Sequence, residues 1–186
     1  MYQIIAVLVF VIGMVICVEF CCKKLSRGKK LLIVWTIFFG YGIGNLYATL
    51  LARTVGYDAH VELLPFRTYL ILFARHASIK PVGSNAIAVF LEGEPPIVGL
   101  ILNILLYYPL GYLLPILFPK LKPKHVILIG CLCSIATEAT QYLLKMGWCE
   151  TDDVIHNTLG TAIGVWVWMW QSKRLKTVAD QKSGQD

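Results

Sequence analysis

Five apolar runs constrain this chain more than any other feature: residues 4–22, 31–52, 98–118, 126–144 and 154–170. Each approaches the roughly 20 residues that a helix needs to cross a hydrocarbon core. Apolar residues make up 57% of the chain and charged residues 15%, against about 45–50% and about a quarter in soluble domains. Mean hydropathy is +0.66. The first run has no basic residue ahead of it and no small-residue cleavage site, and bases follow it instead. It therefore reads as a retained helix with its N-terminus outside, not as a signal peptide.

The loops set an orientation. Lys23, Lys24, Arg27, Lys29 and Lys30 follow the first run; Lys120, Lys122 and Lys124 follow the third; Lys173, Arg174, Lys176 and Lys182 follow the fifth. These are 12 of the 17 bases. The remaining Arg53, Arg67, Arg75, Lys80 and Lys145 share their side with the acids Asp58, Glu62, Glu92, Glu94, Glu150, Asp152 and Asp153. The positive-inside rule makes the first side cytoplasmic. The expected fold class is thus an all-α polytopic membrane helical bundle of about five transmembrane helices, N-out and C-in. Trp166, Trp168 and Trp170 fall at the inner interface, where aromatic rings are favoured. The net charge of +6 is explained by these loops, and nucleic acid is not an expected partner.

The expected organisation is an N-terminal transmembrane helix (1–22), a four-helix membrane domain (31–170) and a basic cytoplasmic tail (171–186). Within the outer loop, 53–97, the stretch 63–73 (Leu-Leu-Pro-Phe-Arg-Thr-Tyr-Leu-Ile-Leu-Phe) is too short to span and too apolar for water. It reads as an interfacial or re-entrant helix. Arg67, Arg75, His60 and His76 there are candidates for lipid phosphates, with plain interfacial anchoring as the alternative.

Ionisable groups inside a span cost roughly 2.5–3.5 kcal/mol at its centre, so each needs a reason. Glu19, four residues before Lys23 near an inner helix end, is explained by an i,i+4 pair and snorkelling. Glu138 lies roughly 9 Å below the outer interface by helical rise, and Ser134 and Gln141 share its face. Asn45, Asn103 and Asn157 fall within about 5–10 Å of the same surface on three other runs. Asp152, Asp153, Glu150 and His156 lie above them. Four polar groups at one depth on four helices point to an outward-facing polar cavity near headgroup depth. Interhelical asparagine bonds and helix capping by Thr151 or Asp152 are the purely structural alternative.

Gly40-x-x-x-Gly44 and Gly160-x-x-x-Gly164 are spacings that allow close helix approach, and Pro109 and Pro115 should bend the third helix. The six cysteines show no C-x-x-C and no metal spacing, so most read as small buried hydrophobes. Neither a metal nor a cofactor is expected.

The sequence resembles the VanZ-like family. The resemblance rests on Leu63-Leu64-Pro65-Phe66, on the Leu102–Gly111 stretch Leu-Asn-Ile-Leu-Leu-Tyr-Tyr-Pro-Leu-Gly, on Glu138-x-x-Gln141, and on the block from Asp152 to Gly160 (Asp-Asp-Val-Ile-His-Asn-Thr-Leu-Gly), in that order. It extends from about residue 30 to 170. Glu62 stands where the family often has Asn, and Lys145 only approximates an Arg often found between the Glu/Gln pair and the acids.

The resemblance implies a membrane protein of the Gram-positive type, and its name-giving member is associated with low-level teicoplanin resistance. The expected function is a non-enzymatic, multi-pass protein of the cell membrane, associated with envelope modification and resistance to lipophilic glycopeptides. Its partners would be membrane lipids and a lipid-linked cell-wall precursor or a lipoglycopeptide. Ligand-binding candidates are Asn45, Arg67, Arg75, Asn103, Glu138, Gln141, Asp152, Asp153, His156 and Asn157. One alternative is a membrane enzyme on a lipid-linked substrate, with Glu138, Asp152 or Asp153 as acid or base, His156 as proton shuttle and a divalent metal between carboxylates. A small transporter is the other, since carboxylates within spans can relay ions.

Overall fold

The described residues of the five apolar windows are helical, apart from window ends, in the computed structural model, which describes residues 2–21, 25–52, 55–56, 60–76 and 96–183. Among the described residues, six α-helices and two short strands run in the order α1 (Tyr2–Ile16), α2 (Arg27–Leu46), β1 (His60–Glu62), α3 (Arg67–His76), α4 (Pro96–Leu117), α5 (Pro123–Leu143), β2 (Trp148–Glu150) and α6 (Thr151–Ser183). π-Helical turns extend α1 through Cys17–Cys21 and α2 through Tyr47–Leu51. In hydrocarbon a backbone must satisfy its own polar groups, and only helices or closed barrels do so. The fold is an all-α membrane helical bundle. Arg27–Leu51, Ile97–Leu117 and Pro123–Leu143 are long and apolar enough to cross a membrane, and Ile5–Glu19 is a shorter apolar helix. The fifth window lies within α6, which continues unbroken through the basic segment as far as Ser183.

The centre of the bundle is the α4–α6 pair, with α5 packed on α6 and with α1 and α2 on α4. Small residues set this arrangement. A Cβ on Gly160 would strike the backbone of Ile104, one on Gly164 that of Tyr108, and one on Gly111 that of Thr161. Gly130 of α5 likewise takes the Thr161 side chain against its Cα. The expected close approach at Gly160 and Gly164 is therefore present. At Gly40 and Gly44 it is not: an added Cβ meets nothing within 4 Å at either. Both line a cavity with Ala6, Phe10 and Pro109, so this spacing does not form a helix seam.

Pro109 and Pro115 lie inside α4, which is helical through both, and both are fully buried. The principal core joins Val11, Met14 and Val18 to Val34 and to Tyr108, Tyr112, Leu113 and Leu117. Beside it, Tyr112 Oη donates to Glu19 Oε1 at 3.3 Å. Glu19 thus has a partner on α4 that the sequence argument does not include; Lys23 lies outside the described residues.

At the opposite end, β1 and β2 pair in parallel, Val61 opposite Cys149 and Glu62 opposite Glu150. This pairing fastens the long loop to the start of α6. Leu63, Leu64 and Phe66 ahead of α3, and Tyr69, Leu70 and Phe73 on it, are all exposed.

Candidate functional site

The polar end of the bundle is built on carboxylates that accept hydrogen bonds from distant backbone. Asp152 is buried at the start of α6. Its Oδ1 accepts the Phe66 N–H at 2.5 Å and its Oδ2 the Thr68 N–H at 2.7 Å. Phe66 is the residue that starts α3, since its carbonyl accepts the Tyr69 and Leu70 N–H groups. The first N–H groups of a helix have no partner within it and favour an anion. Asp152 therefore caps α3 rather than its own helix. Holding that geometry puts Phe66 at φ +64°, a conformation that L side chains rarely adopt.

Glu138, also buried, accepts the Glu150 N–H on Oε2 at 3.0 Å and so ties α5 to β2. Asp153 Oδ1 accepts from Asn103 Nδ2 at 2.7 Å. Asn157 Nδ2 donates to Ser134 Oγ at 2.8 Å, and Gln141 Nε2 to the Thr49 carbonyl at 2.9 Å. Asn157 Oδ1 and Gln141 Oε1 are buried without a hydrogen-bond partner among the described residues. His156 Nε2 lies 3.1 Å from Tyr69 Oη, with the two rings edge to face.

The sequence-derived layer is thus divided. Asn103 and Asp153 face an open cavity, whereas Glu138, Gln141, Asn157 and Ser134 form the polar interior behind it. Asn45 stands apart, its Nδ2 donating to Tyr41 Oη at 2.9 Å. Arg67 is paired with Glu62 at 3.3 Å and lies beside Glu150 and Asp152 in a cleft of about 10 Å³. The side chains of Arg75, His60 and His76 lie outside the described residues, as do Asp58, Glu92 and Glu94.

The open cavity measures about 750 Å³. Ala6, Val7, Leu102 and Leu106 form its apolar wall; Thr49, Asn103, Glu150 and Asp153 form its polar end. Burial, with the negative Asp153 next in effect and Arg67 opposing, pushes the Glu150 carboxyl up to about 7. Burial also raises the Cys149 thiol, helped by Glu138, Asp153 and Glu150. That thiol stays protonated near neutrality, which disfavours it as a nucleophile. Among the described residues no group of three or more His, Cys, Asp or Glu is placed to hold a metal ion.

Tyr69, Thr49 and Glu150 are the participants that sequence reasoning did not select as site residues. The only signal for Tyr69 was its place one turn into the helix after Pro65. Nothing local marks Thr49 as the partner of Gln141.

An apolar bundle carrying a carboxylate-braced polar end defines the class: a helical membrane protein with a polar site at one end of its helices. The family model described as VanZ/LLP1 matches residues 30–172, and the chain belongs to that family. No curated protein and no solved structure matches it.

Proposed function

We propose that this VanZ-like protein is a non-enzymatic, multi-pass component of the cell membrane that lowers susceptibility to lipophilic glycopeptides such as teicoplanin. In this reading the polar end faces outward at headgroup depth, and the 750 Å³ cavity receives the acyl-bearing part of a lipid-linked envelope molecule or of the antibiotic. The observation that carries it is the cavity's two-sided lining: Ala6, Val7, Leu102 and Leu106 suit a hydrocarbon chain, and Asn103, Glu150 and Asp153 suit a polar head. The use of Glu138 and Asp152 as acceptors for backbone N–H groups supports binding over catalysis.

The test is susceptibility to teicoplanin and vancomycin in cells with and without the protein, at matched membrane abundance. Wild type should raise tolerance to teicoplanin more than to vancomycin, and Asp153→Asn should reduce that difference. No change in either drug with wild type sinks the proposal. A second reading, a membrane enzyme on a lipid-linked substrate, is favoured by one observation: Glu150, near 7, is poised for acid–base chemistry beside Asp153. It requires chemical turnover of an added lipid-linked substrate that Glu150→Gln abolishes.

A further inference from the structure

The end of the bundle opposite the carboxylates carries almost one sign of charge. Segments 23–30, 118–125 and 171–186 hold 12 Lys and Arg against two acids, Asp180 and Asp186. The helices that bear these segments meet there. Trp35 and Phe118 touch edge to face with ring centroids 5.7 Å apart, and Leu121 and Met169 pack on one core cluster. Glu19, on the π-helical extension of α1, accepts from Tyr112.

Within this end, Arg174 has a defined placement. Its guanidinium lies over the Trp170 ring, 4.5 Å from the centroid, in a cation–π geometry. Stacking occupies the flat face of the group and leaves its in-plane N–H donors, whose fork fits phosphate in two bonds. Among the described residues Arg174 forms no ion pair. Asp180, six residues on, is off the i+3 and i+4 positions that would bring it alongside on the helix.

The length of α6 sets the depth. Placing Thr151 at one membrane boundary puts Trp170 about 29 Å and Arg174 about 35 Å along the axis, at and just beyond the far side of a roughly 30 Å hydrocarbon core. Ile163, Trp166 and Trp170 precede Arg174 by about three, two and one turns on the same face. All three are exposed. Ile163 also lines an apolar groove of about 400 Å³ between α1, α4 and α6, with Val11, Val15 and Tyr108.

We infer that α6 carries a binding site for one anionic phospholipid, its phosphate on Arg174 with Lys173 beside it. One acyl chain runs past Trp170 and Trp166 to the groove at Ile163. Charge complementarity selects the occupant. A zwitterionic lipid brings the same chains and phosphate but adds an ammonium that the surrounding bases repel, whereas an anionic head adds none. A second copy laid in parallel on this face would bring its own basic end against Arg174, like charge on like.

The experiment uses the full chain in vesicles of equal phosphatidylcholine and phosphatidylglycerol, with the chains of one lipid dibrominated at a time. Bromine quenches a tryptophan that it touches, and the part of the quenching lost in Trp166→Phe isolates the contact at Trp166. That part should favour phosphatidylglycerol by about fivefold, equivalent to about 1 kcal/mol. Arg174→Gln should bring the two lipids close to equality, and Arg174→Lys, which keeps the charge without the fork, should retain part of the preference. Arg174 is exposed, so melting temperature should be unchanged in both variants. Lys120→Gln removes a base from the same end but outside the site, and should leave the preference intact. Equal quenching by both lipids in wild type, or a preference indifferent to Arg174→Gln, overturns the inference. An equal loss with Lys120→Gln also overturns it, by assigning the preference to the charge of the whole end. Trp166 unquenched by either lipid would mean that another copy covers this face, and overturns it as well.

Discussion

Asp152 Oδ1 accepts the backbone N–H of Phe66 at 2.5 Å across 86 residues of sequence. With the Thr68 bond at 2.7 Å, it makes one buried carboxylate the cap of a helix that belongs to another part of the chain. The parallel pairing of Glu62 with Glu150 and the His156–Tyr69 contact reinforce the same junction. The Leu-Pro-Phe element and the double-Asp element are thus two halves of one joint.

Asp152→Ala should loosen that joint selectively. It leaves two helix-start N–H groups without an acceptor, at about 1–3 kcal/mol each when buried. Thermal unfolding of the purified protein should fall by several degrees, and proteolysis should accelerate within 60–76 before the helices of the bundle are cut. Asp152→Asn, which keeps one oxygen acceptor but loses the charge, should lie between. Unchanged cleavage within 60–76 for Asp152→Ala would refute the cap.

Glu138 separates a structural role from a functional one. Glu138→Gln retains an amide oxygen for the Glu150 N–H, so abundance and melting temperature should stay near wild type. Glu138→Ala should lower stability by roughly 1–3 kcal/mol through the unsatisfied N–H. Full abundance of Glu138→Gln with lost teicoplanin tolerance would show that its charge is used for more than holding β2.

Glu150 gives the fold a pH dependence whose sign follows from its position. Its folded value, about 7, lies above its ordinary 4.5, so the folded state holds the proton more tightly than the unfolded state. The associated stability is fully present below about pH 4.5 and is lost as pH rises through 7. Melting temperature should therefore decline between pH 5 and pH 8, and Glu150→Gln should flatten that part of the curve. A slope unaltered in the variant would assign the titration to another group.

The bundle was largely legible in the sequence because its signal is local: run length, charge between runs, and small residues at helical spacing. The α4–α6 seam follows from Gly160 and Gly164 in this way. Glycine spacing alone failed at Gly40 and Gly44, because whether a small residue faces a neighbour or a cavity depends on where that neighbour is. Depth by helical rise puts Asn45, Asn103, Glu138 and Asn157 at one level but cannot give rotation about a helix axis, so it groups Asn45 with residues it does not join. The Asp152 cap was hidden for a related reason. An acid in the first turn of its own helix already has a local explanation, and nothing in the sequence marks that its carboxylate instead turns to a helix more than eighty residues away.

The glycines offer a paired test of that distinction. Gly160→Ala and Gly164→Ala place a Cβ against the backbones of Ile104 and Tyr108, where neither side can yield by a rotamer change, so α4 and α6 must separate. Overpacking of this kind costs typically about 1–3 kcal/mol, and each variant should show lower melting temperature and reduced membrane abundance. Gly40→Ala and Gly44→Ala add a methyl group where nothing lies within 4 Å, and alanine is the better helix former. Those two should match or exceed wild type. Equal losses at all four positions would mean that α2 packs against a neighbour through Gly40 and Gly44 after all, and that the cavity they line is closed in the membrane.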